Sequence, residues 1–348
     1  MKALALVEAP DHVCGKYRVS AYAPALAVSG CSLVVEGIAA SPLARLRQFR
    51  RASRFDAVVL QRKLLPGWQL AILRSCSRRL IYDFDDAVLY RDSYDPRGPT
   101  CRRRATRFGR TVRAADTVIA GNAFLACCAV EHGASTDKVR VIPTCIAAHD
   151  YRPRREDRQD EATRLVWIGS SSTVQGLEQR RSLLERLGHE IPGLMLRLIC
   201  DRFPTFDPLP VEAARWSTAS EAADLASGDV GVSFVPNDLW TRGKCGLKVL
   251  QYCAAGLPVV ADPVGVHPEM IEPGVHGFLP RTDDEWVAAI RALAADRDLR
   301  RRMGVAARAR VESAYSIDAW SARFVAAVEG QVEPPAPHFR PAGKAVRR

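Results

Sequence analysis

The stretch Arg242 to Ala261, RGKCGLKVLQYCAAGLPVVA, decides the reading of this chain. It divides into three parts. Arg242-Gly243-Lys244-Cys245-Gly246 is a basic loop broken by glycine. Leu247 to Ala255 has the spacing of a short helix. Gly256 stops that helix, and after Pro258 the run Val259-Val260-Ala261 reads as a buried parallel strand. A basic, glycine-rich loop running into a helix start is suited to an anion, because free N–H groups and the helix dipole both favour negative charge there. Lys248 falls in the first turn, where a cation opposes the dipole unless an anion sits beside it. The plain alternative is an ordinary loop–helix–strand unit with a solvated lysine.

Working outward, strand-like runs alternate with helical patterns on both sides. Upstream, the strands are 3–7, 32–36, 57–61, 80–83, 117–120 and 139–142. Helical spacing covers 17–29, 42–53 and 69–77. A charged run, YRPRREDRQDEAT, follows at 151–163 and reads as a solvated linker. The alternation then restarts: strands 165–168, 194–199 and 230–235, with helices 176–187, 221–226, 285–294, 299–313 and 317–328. Apolar strands alternating with helices imply right-handed βαβ units and a parallel sheet covered on both faces. The expected organisation is therefore α/β, with two doubly wound domains. The first spans 1–150, the linker 151–163 and the second domain 164–313. A helix at 314–330 has the option of crossing back to the first domain, and 331–348 is a basic, proline-rich tail expected to be disordered. Ligands of open α/β sheets bind beyond the carboxyl ends of the strands, so the expected site is the cleft between the domains.

Composition narrows the class. With 348 residues, 47% hydrophobic and 26% charged, the chain is globular and long enough for two cores. The net charge of +11 favours polyanionic partners such as nucleotide diphosphates or an anionic membrane surface. Nucleic acid lacks support, because no basic motif is interleaved with aromatics. The ten cysteines show no CxxC pair, which points to a reducing cytoplasm. The N-terminal MKALALVEAP reads as a first strand rather than a signal peptide. No run approaches the ~20 apolar residues of a membrane span, so any membrane contact is expected to be peripheral.

At this point the chain resembles a glycosyltransferase of the two-Rossmann-domain GT-B type, in the large retaining family 4, or group 1, class. Gln251-Tyr252-Cys253-Ala254-Ala255-Gly256-Leu257-Pro258-Val259-Val260 is similar to the second half of that family's glutamate-x7-glutamate segment. Gly265 and Glu269 resemble its "GG-x-x-E" segment, 272–279 its "G-x-x-G-x-L" segment and 299–311 its late "M-G-x-x-A-R" helix. Lys138 to Pro143 and Asp150 to Pro153 resemble the end of its first domain. The likeness is dense from Asp116 to Ser313 and thin before Asp56. Two departures stand out: the family's glutamate positions fall on Gly243 and Gln251. Glutamine still donates and accepts hydrogen bonds.

The resemblance implies a transferase that takes a nucleotide diphosphate sugar as donor. It acts with retention on a glycan, a lipid-linked or a small-molecule acceptor, with no obligatory metal or other cofactor. It implies donor contacts at Gly15, Arg18, Gly169, Ser170, Ser171, Arg242, Lys244, Gly246, Lys248 and Gln251. The usual basic pair after the first strand of the second domain is replaced by Ser170 to Thr173, leaving Lys248, with Arg242 or Lys244, to supply neutralising charge. Catalytic roles fall to Asp85 and Asp86 in the Asp83-Phe84-Asp85-Asp86 segment at a strand end. Three readings of those carboxylates stand open: N-caps of a following helix, contacts to donor sugar or acceptor, or a Mg²⁺ site through Asp83 and Asp85. Asn122 reads as an N-cap. Trp216 reads as a core residue, with the base of the nucleotide as the alternative. Two arginine-rich segments, 43–54 and 102–113, suit anionic lipid headgroups or an anionic acceptor, with solvated helices as the plain alternative. The rival functions are a sugar-nucleotide epimerase of the same fold and a non-catalytic nucleotide-sugar-binding homologue.

Overall fold

The computed structural model describes residues 1–10, 13–153, 162–332, 334 and 336–337. Most of the expected linker and most of the tail lie outside them. The elements run β1 (Lys2–Val7), α1 (Val13–Arg18), α2 (Ala23–Val28), β2 (Ser32–Gly37), α3 (Pro42–Arg51), β3 (Ala57–Gln61), α4 (Gly67–Cys76) and β4 (Leu80–Phe84). Then come α5 (Arg102–Ala114), β5 (Thr117–Ala120), α6 (Ala123–Glu131), β6 (Val139–Val141), β7 (Thr163–Ile168), α7 (Val174–Glu178), α8 (Arg181–Glu190), β8 (Leu194–Cys200) and β9 (Val211–Arg215). The chain closes with α9 (Glu221–Ala226), β10 (Val230–Ser233), α10 (Leu239–Arg242), α11 (Leu247–Ala254), β11 (Val259–Ala261), α12 (His267–Met270), β12 (Gly277–Phe278), α13 (Asp283–Ala295), α14 (Arg297–Ala314) and α15 (Ile317–Glu329).

Two compact units result. Unit 1 holds Met1–Cys145, Asp238–Cys245 and the helix from Ile317; unit 2 holds Ile146–Asn237 and Gly246–Ser316. Each is built on a six-stranded parallel sheet, in the order β2-β1-β3-β4-β5-β6 and β12-β11-β10-β7-β8-β9. Both are doubly wound, with the strand order reversing beside β1 and beside β7.

Strand alternation decides the two faces of the first sheet. Leu4, Leu6, Val58, Leu60, Tyr82 and Phe84 pack with Phe49, Leu70, Leu73 and Phe108 of α3, α4 and α5. The opposite face carries small residues, Ala3, Ala5 and Ala57, which leave room for Trp320 and Phe324 of α15. Phe324 stacks on Tyr22 at 4.2 Å between ring centroids. In unit 2, Leu183, Leu184 and Leu187 of α8 and Trp286, Ile290 and Leu293 of α13 cover one face. Each fully buried side chain of this size stabilises by roughly 1.5–3 kcal/mol.

Several expectations change. The helix expected over 17–29 is α1, a 3₁₀ turn and α2, since Pro24 lacks an N–H and begins a new helix rather than continuing one. The helix expected over 176–187 is α7 and α8. β9 escapes the sequence reading because VEAAR is an edge strand with no buried residue, so it has no apolar run to detect. Tyr151, at the expected start of the linker, is 4% exposed and bonded to buried Glu221.

Candidate active site

In each unit the reversal of strand order leaves a crevice at the carboxyl ends of two strands, and in each a side chain crosses it. Unit 1 is crossed by Arg62, the residue after β3. Its Nη1 donates to Cys14 Sγ (2.5 Å), its Nη2 pairs with Asp86 (2.7 Å) and its Nε lies 3.7 Å from Asp85. Arg62 holds a left-handed backbone at φ 59°, which costs a non-glycine residue about 1–3 kcal/mol and is kept only where the surroundings impose it. Burial opposes the Arg62 charge, and Asp86 and Asp85 more than restore it, so its pKa lies above the ordinary value. Burial and the charge of Asp85 push the Cys14 thiol up. The Cys14, Asp85 and Asp86 ligand atoms lie within 4.8 Å of one another, as a metal would need. The guanidinium of Arg62 is the cation they face.

Beneath this network, Arg18 and Asp83 form a fully buried pair, 1% and 0% exposed, at 2.5 Å. Arg18 also donates to the Ile142 carbonyl. Burial raises the Asp83 carboxyl to about 6 against the pull of Arg18. Gln61 lies opposite Asp83 in the β3–β4 register. Among the described residues neither its amide oxygen nor its nitrogen has a hydrogen-bond partner, although the side chain is buried.

The capping reading of Asp85 and Asp86 is corrected here. No helix begins between Phe84 and Cys101, so neither residue is an N-cap. Arg18, expected at a donor, is enclosed with Asp83. Gly15 is buried within α1 over Val7.

The stretch Arg242 to Ala261 is divided between the units. Asp238–Cys245 groups with unit 1 and Gly246 onward with unit 2. Asn122 accounts for the first half. Its Oδ1 accepts from Leu125 N (2.8 Å), the expected cap. Its Nδ2 donates toward the carbonyls of Arg242, Gly243 and Lys244 (3.2–3.3 Å). Gly243 is required by close approach, since a Cβ there would lie 2.5 Å from the Ala87 Cβ and 2.7 Å from its nitrogen. Arg242 is exposed, and the Lys244 ammonium lies 5.7 Å from the centre of the Trp240 ring.

Unit 2 is crossed by Lys248. From the first turn of α11, its Nζ sits 3.9 Å above the ring centre of buried Trp167 in β7 and 3.5 Å from Thr173 Oγ1. A cation on an indole face gains about 0.5–2 kcal/mol. Gly246, at φ 66°, turns the chain into α11 without any side-chain cap. Gly169 follows β7, and the serine loop is largely self-satisfied. Ser170 N donates to Thr173 Oγ1 and Ser171 N to Asp201 (2.6 Å). These two N–H groups are therefore engaged, while the Ser170 and Ser171 side chains, expected at the donor, are exposed. Gln251 is buried, 4% exposed, and so lies deeper than Lys248. Trp216 is not a core residue: it is 39% exposed, with its indole N–H on Glu221 (2.7 Å), whose other oxygen accepts from Tyr151 (2.5 Å).

Arg62, Cys14, Gln61 and Trp167 were missed by the sequence reading. For Gln61 and Arg62 a signal existed, since they end a strand beside the one that ends in Asp83 to Asp86.

This architecture of paired doubly wound sheets is the GT-B fold. A family model described as glycosyl transferase-like matches residues 179–326. The sulfoquinovosyl transferase SQD2 of Arabidopsis thaliana is 29% identical over 177 residues, covering 47% of this chain; the chain spans about a third of that relative, 33%. Among solved structures, sucrose-phosphate synthase from Thermosynechococcus elongatus superposes with a TM-score of 0.71 at 17% identity, over 92% of this chain and 96% of that one. Anabaena HepE, solved with UDP and glucose, gives 0.69 at 16% identity, over 95% and 100%. The chain therefore has the GT-B fold, and its residues 179–326 are similar to glycosyl transferases.

Proposed function

We propose that the chain transfers a sugar, with retention, from a nucleotide diphosphate sugar to a glycan, lipid-linked or small-molecule acceptor. The observation that carries this reading is Lys248 lying across the crevice of unit 2. Its ammonium lies over an aromatic face and beside a hydroxyl. Such a cation stabilises the negative charge that develops on a departing diphosphate. Trp216 supports the nucleotide end, because Glu221 and Tyr151 hold its exposed ring in one orientation, as base stacking requires. In unit 1, Asp85 and Asp86 are the groups available to orient a sugar hydroxyl or to stabilise an oxocarbenium-like centre. Their partner is Arg62, and this reading assigns no step to a metal.

The proposal extends to docking of unit 1 on an anionic membrane surface. Leu43 at the start of α3 and Trp68 at the start of α4 are 61% and 53% exposed, and Arg102 and Arg103 begin α5. Arg104, Arg107 and Arg113, by contrast, are engaged with backbone carbonyls of unit 1. No helix among the described residues is long and apolar enough to cross a membrane.

Calorimetry with UDP and GDP on the full chain and on Lys248→Ala tests the donor site. A charge-assisted contact contributes about 1.5–3 kcal/mol, so affinity for the preferred nucleotide falls about tenfold or more. Unchanged affinity for both nucleotides sinks the assignment. A non-catalytic nucleotide-sugar-binding homologue is the second reading, favoured by the packing of Ala87 against Gly243, which leaves no room there for a carboxylate. Donor binding without turnover against a pool of glycan and lipid-linked acceptors supports it.

A further inference from the structure

Unit 2 contains a cavity of about 430 Å³ that the Lys248 crevice does not account for. None of Trp167, Thr173, Lys248, Gln251 or Trp216 lines it. Its walls are the loops after β10 and β11, Pro280 and Arg281 after β12, and Gly176, Gln179 and Arg180 in and just after α7. The size lies within the roughly 300–1,000 Å³ range of small-molecule sites.

The acids around the cavity are already committed. Asp262 accepts from Arg180 Nη2 (3.0 Å), Trp286 Nε1 (3.2 Å) and Val235 N (2.8 Å). Asp283 pairs with Arg180 (3.2 Å) and Asp284 with Arg186 (2.7 Å). Glu285 closes the capping box of α13 with Thr282 and takes the Arg281 N–H (2.5 Å). The Arg281 guanidinium is different: it is exposed and makes no hydrogen bond or ion pair among the described residues. Gln179, also exposed, offers an amide on the same cavity. The uncommitted charged group is thus a planar five-donor cation, which suits the several acceptor oxygens of a phosphate monoester. Phe234, Pro236, Pro263 and Pro280 supply apolar wall for a ring attached to it.

We propose that this cavity is a second binding site, separate from the donor site, for a sugar phosphate monoester of hexose size. Arg281 and Gln179 hold the phosphate, and the proline-lined wall meets the sugar ring. The site does not depend on the donor reading.

Titration of the full chain with glucose 6-phosphate, glucose, inorganic phosphate and UDP, followed by ligand-observed NMR and calorimetry, tests it. Glucose 6-phosphate is expected to bind more tightly than either glucose or phosphate. Arg281→Gln is expected to weaken it about tenfold or more, the loss of one charge-assisted contact, while UDP affinity and melting temperature stay at the parent's values. Gln179→Ala is expected to weaken it less. Absence of binding in the millimolar range overturns the proposal, as does equal binding of glucose. Inorganic phosphate binding as tightly as glucose 6-phosphate removes the sugar from it. Displacement of glucose 6-phosphate by UDP, or its loss in Lys248→Ala rather than Arg281→Gln, merges the cavity with the donor site and overturns the claim of a second one.

Discussion

The two crevices of this chain solve one geometric problem with opposite electrostatics. Both lie where the strand order of a doubly wound sheet reverses, and both are crossed by a long cationic side chain. In unit 1 the cation is an arginine facing two carboxylates and a thiol, above a second, fully buried arginine–aspartate pair. In unit 2 it is a lysine on an indole ring beside a hydroxyl. Paired charges in unit 1 are committed to one another before any ligand arrives. On the proposed function, a diphosphate meets the lysine of the second crevice, and a sugar hydroxyl, which needs oriented acceptors, meets the carboxylates of the first.

Breaking the buried pair of unit 1 tests the contrast most severely. Arg18→Met leaves Asp83 buried without its cation, and removing one partner of such a pair costs about 3–5 kcal/mol. Denaturant unfolding should show that loss, whereas Lys248→Ala, measured in the same way, should lose the smaller amount of its contact with the Trp167 face, about 0.5–2 kcal/mol. A comparable loss in both variants would erase the distinction between the crevices.

Gly243→Ala comes next. Its Cβ would press on the backbone and Cβ of Ala87, and overpacking of that kind costs about 1–3 kcal/mol. The effect should appear as a lower melting temperature with UDP affinity retained, since the donor contacts proposed in unit 2, Lys248 and Trp216, lie outside that loop. Equal melting temperatures would mean that the loop carrying Asp85 and Asp86 yields.

Trp216→Ala sharpens the unit 2 side. Base stacking on an aromatic contributes about 1–3 kcal/mol per base, so UDP affinity should drop at least several-fold by calorimetry. Loss of stability without loss of affinity would assign Trp216 to the Tyr151–Glu221 network alone.

The smallest effects concern pH, and their signs are opposite. Asp83 has its carboxyl raised to about 6 from 3.8, so the folded unit 1 binds this proton more tightly. Its contribution to stability is complete below 3.8 and is lost as pH rises through about 6. His267 of unit 2 is buried with its pKa lowered from 6.5, burial outweighing the hydrogen bond to the Asp262 carbonyl. Its contribution is complete above 6.5 and is lost as pH falls below that value. The melting-temperature difference between Asp83→Asn and the parent should change between pH 4 and 6, in the opposite sense to that of His267→Gln below pH 6.5. Parallel profiles for the two variants would show that neither group titrates on unfolding.

Much of the fold was legible. Runs such as 57–61, 117–120 and 259–261 are apolar, short and bounded by turn residues, so parallel strands follow from hydrophobic pattern alone. Asn122 signals a helix start because a cap is a local interaction, complete within four residues. The position of Lys248 in the first turn of α11 follows from the same local pattern. The carboxylates 85 and 86 were located correctly at a strand end, while the helix they were offered to cap does not exist. Arg62 escaped notice because its role depends on β1, β3 and β4 bringing residues 14, 62, 85 and 86 to one edge.

The same division holds for the stretch Arg242 to Ala261. By itself the sequence determined its helix, its glycine turns and the strand that follows, since these rest on propensities and contacts within a few residues. Only the tertiary structure decided that Arg242, Lys244 and Cys245 belong with unit 1 and Lys248 and Gln251 with unit 2. The cause is the amide of Asn122, more than a hundred residues distant in the chain, gathering three carbonyls of that loop. Close approach of Ala87 then explains why position 243 is glycine. Such partners are chosen by packing at long range, where one residue's neighbours are not written in its own surroundings.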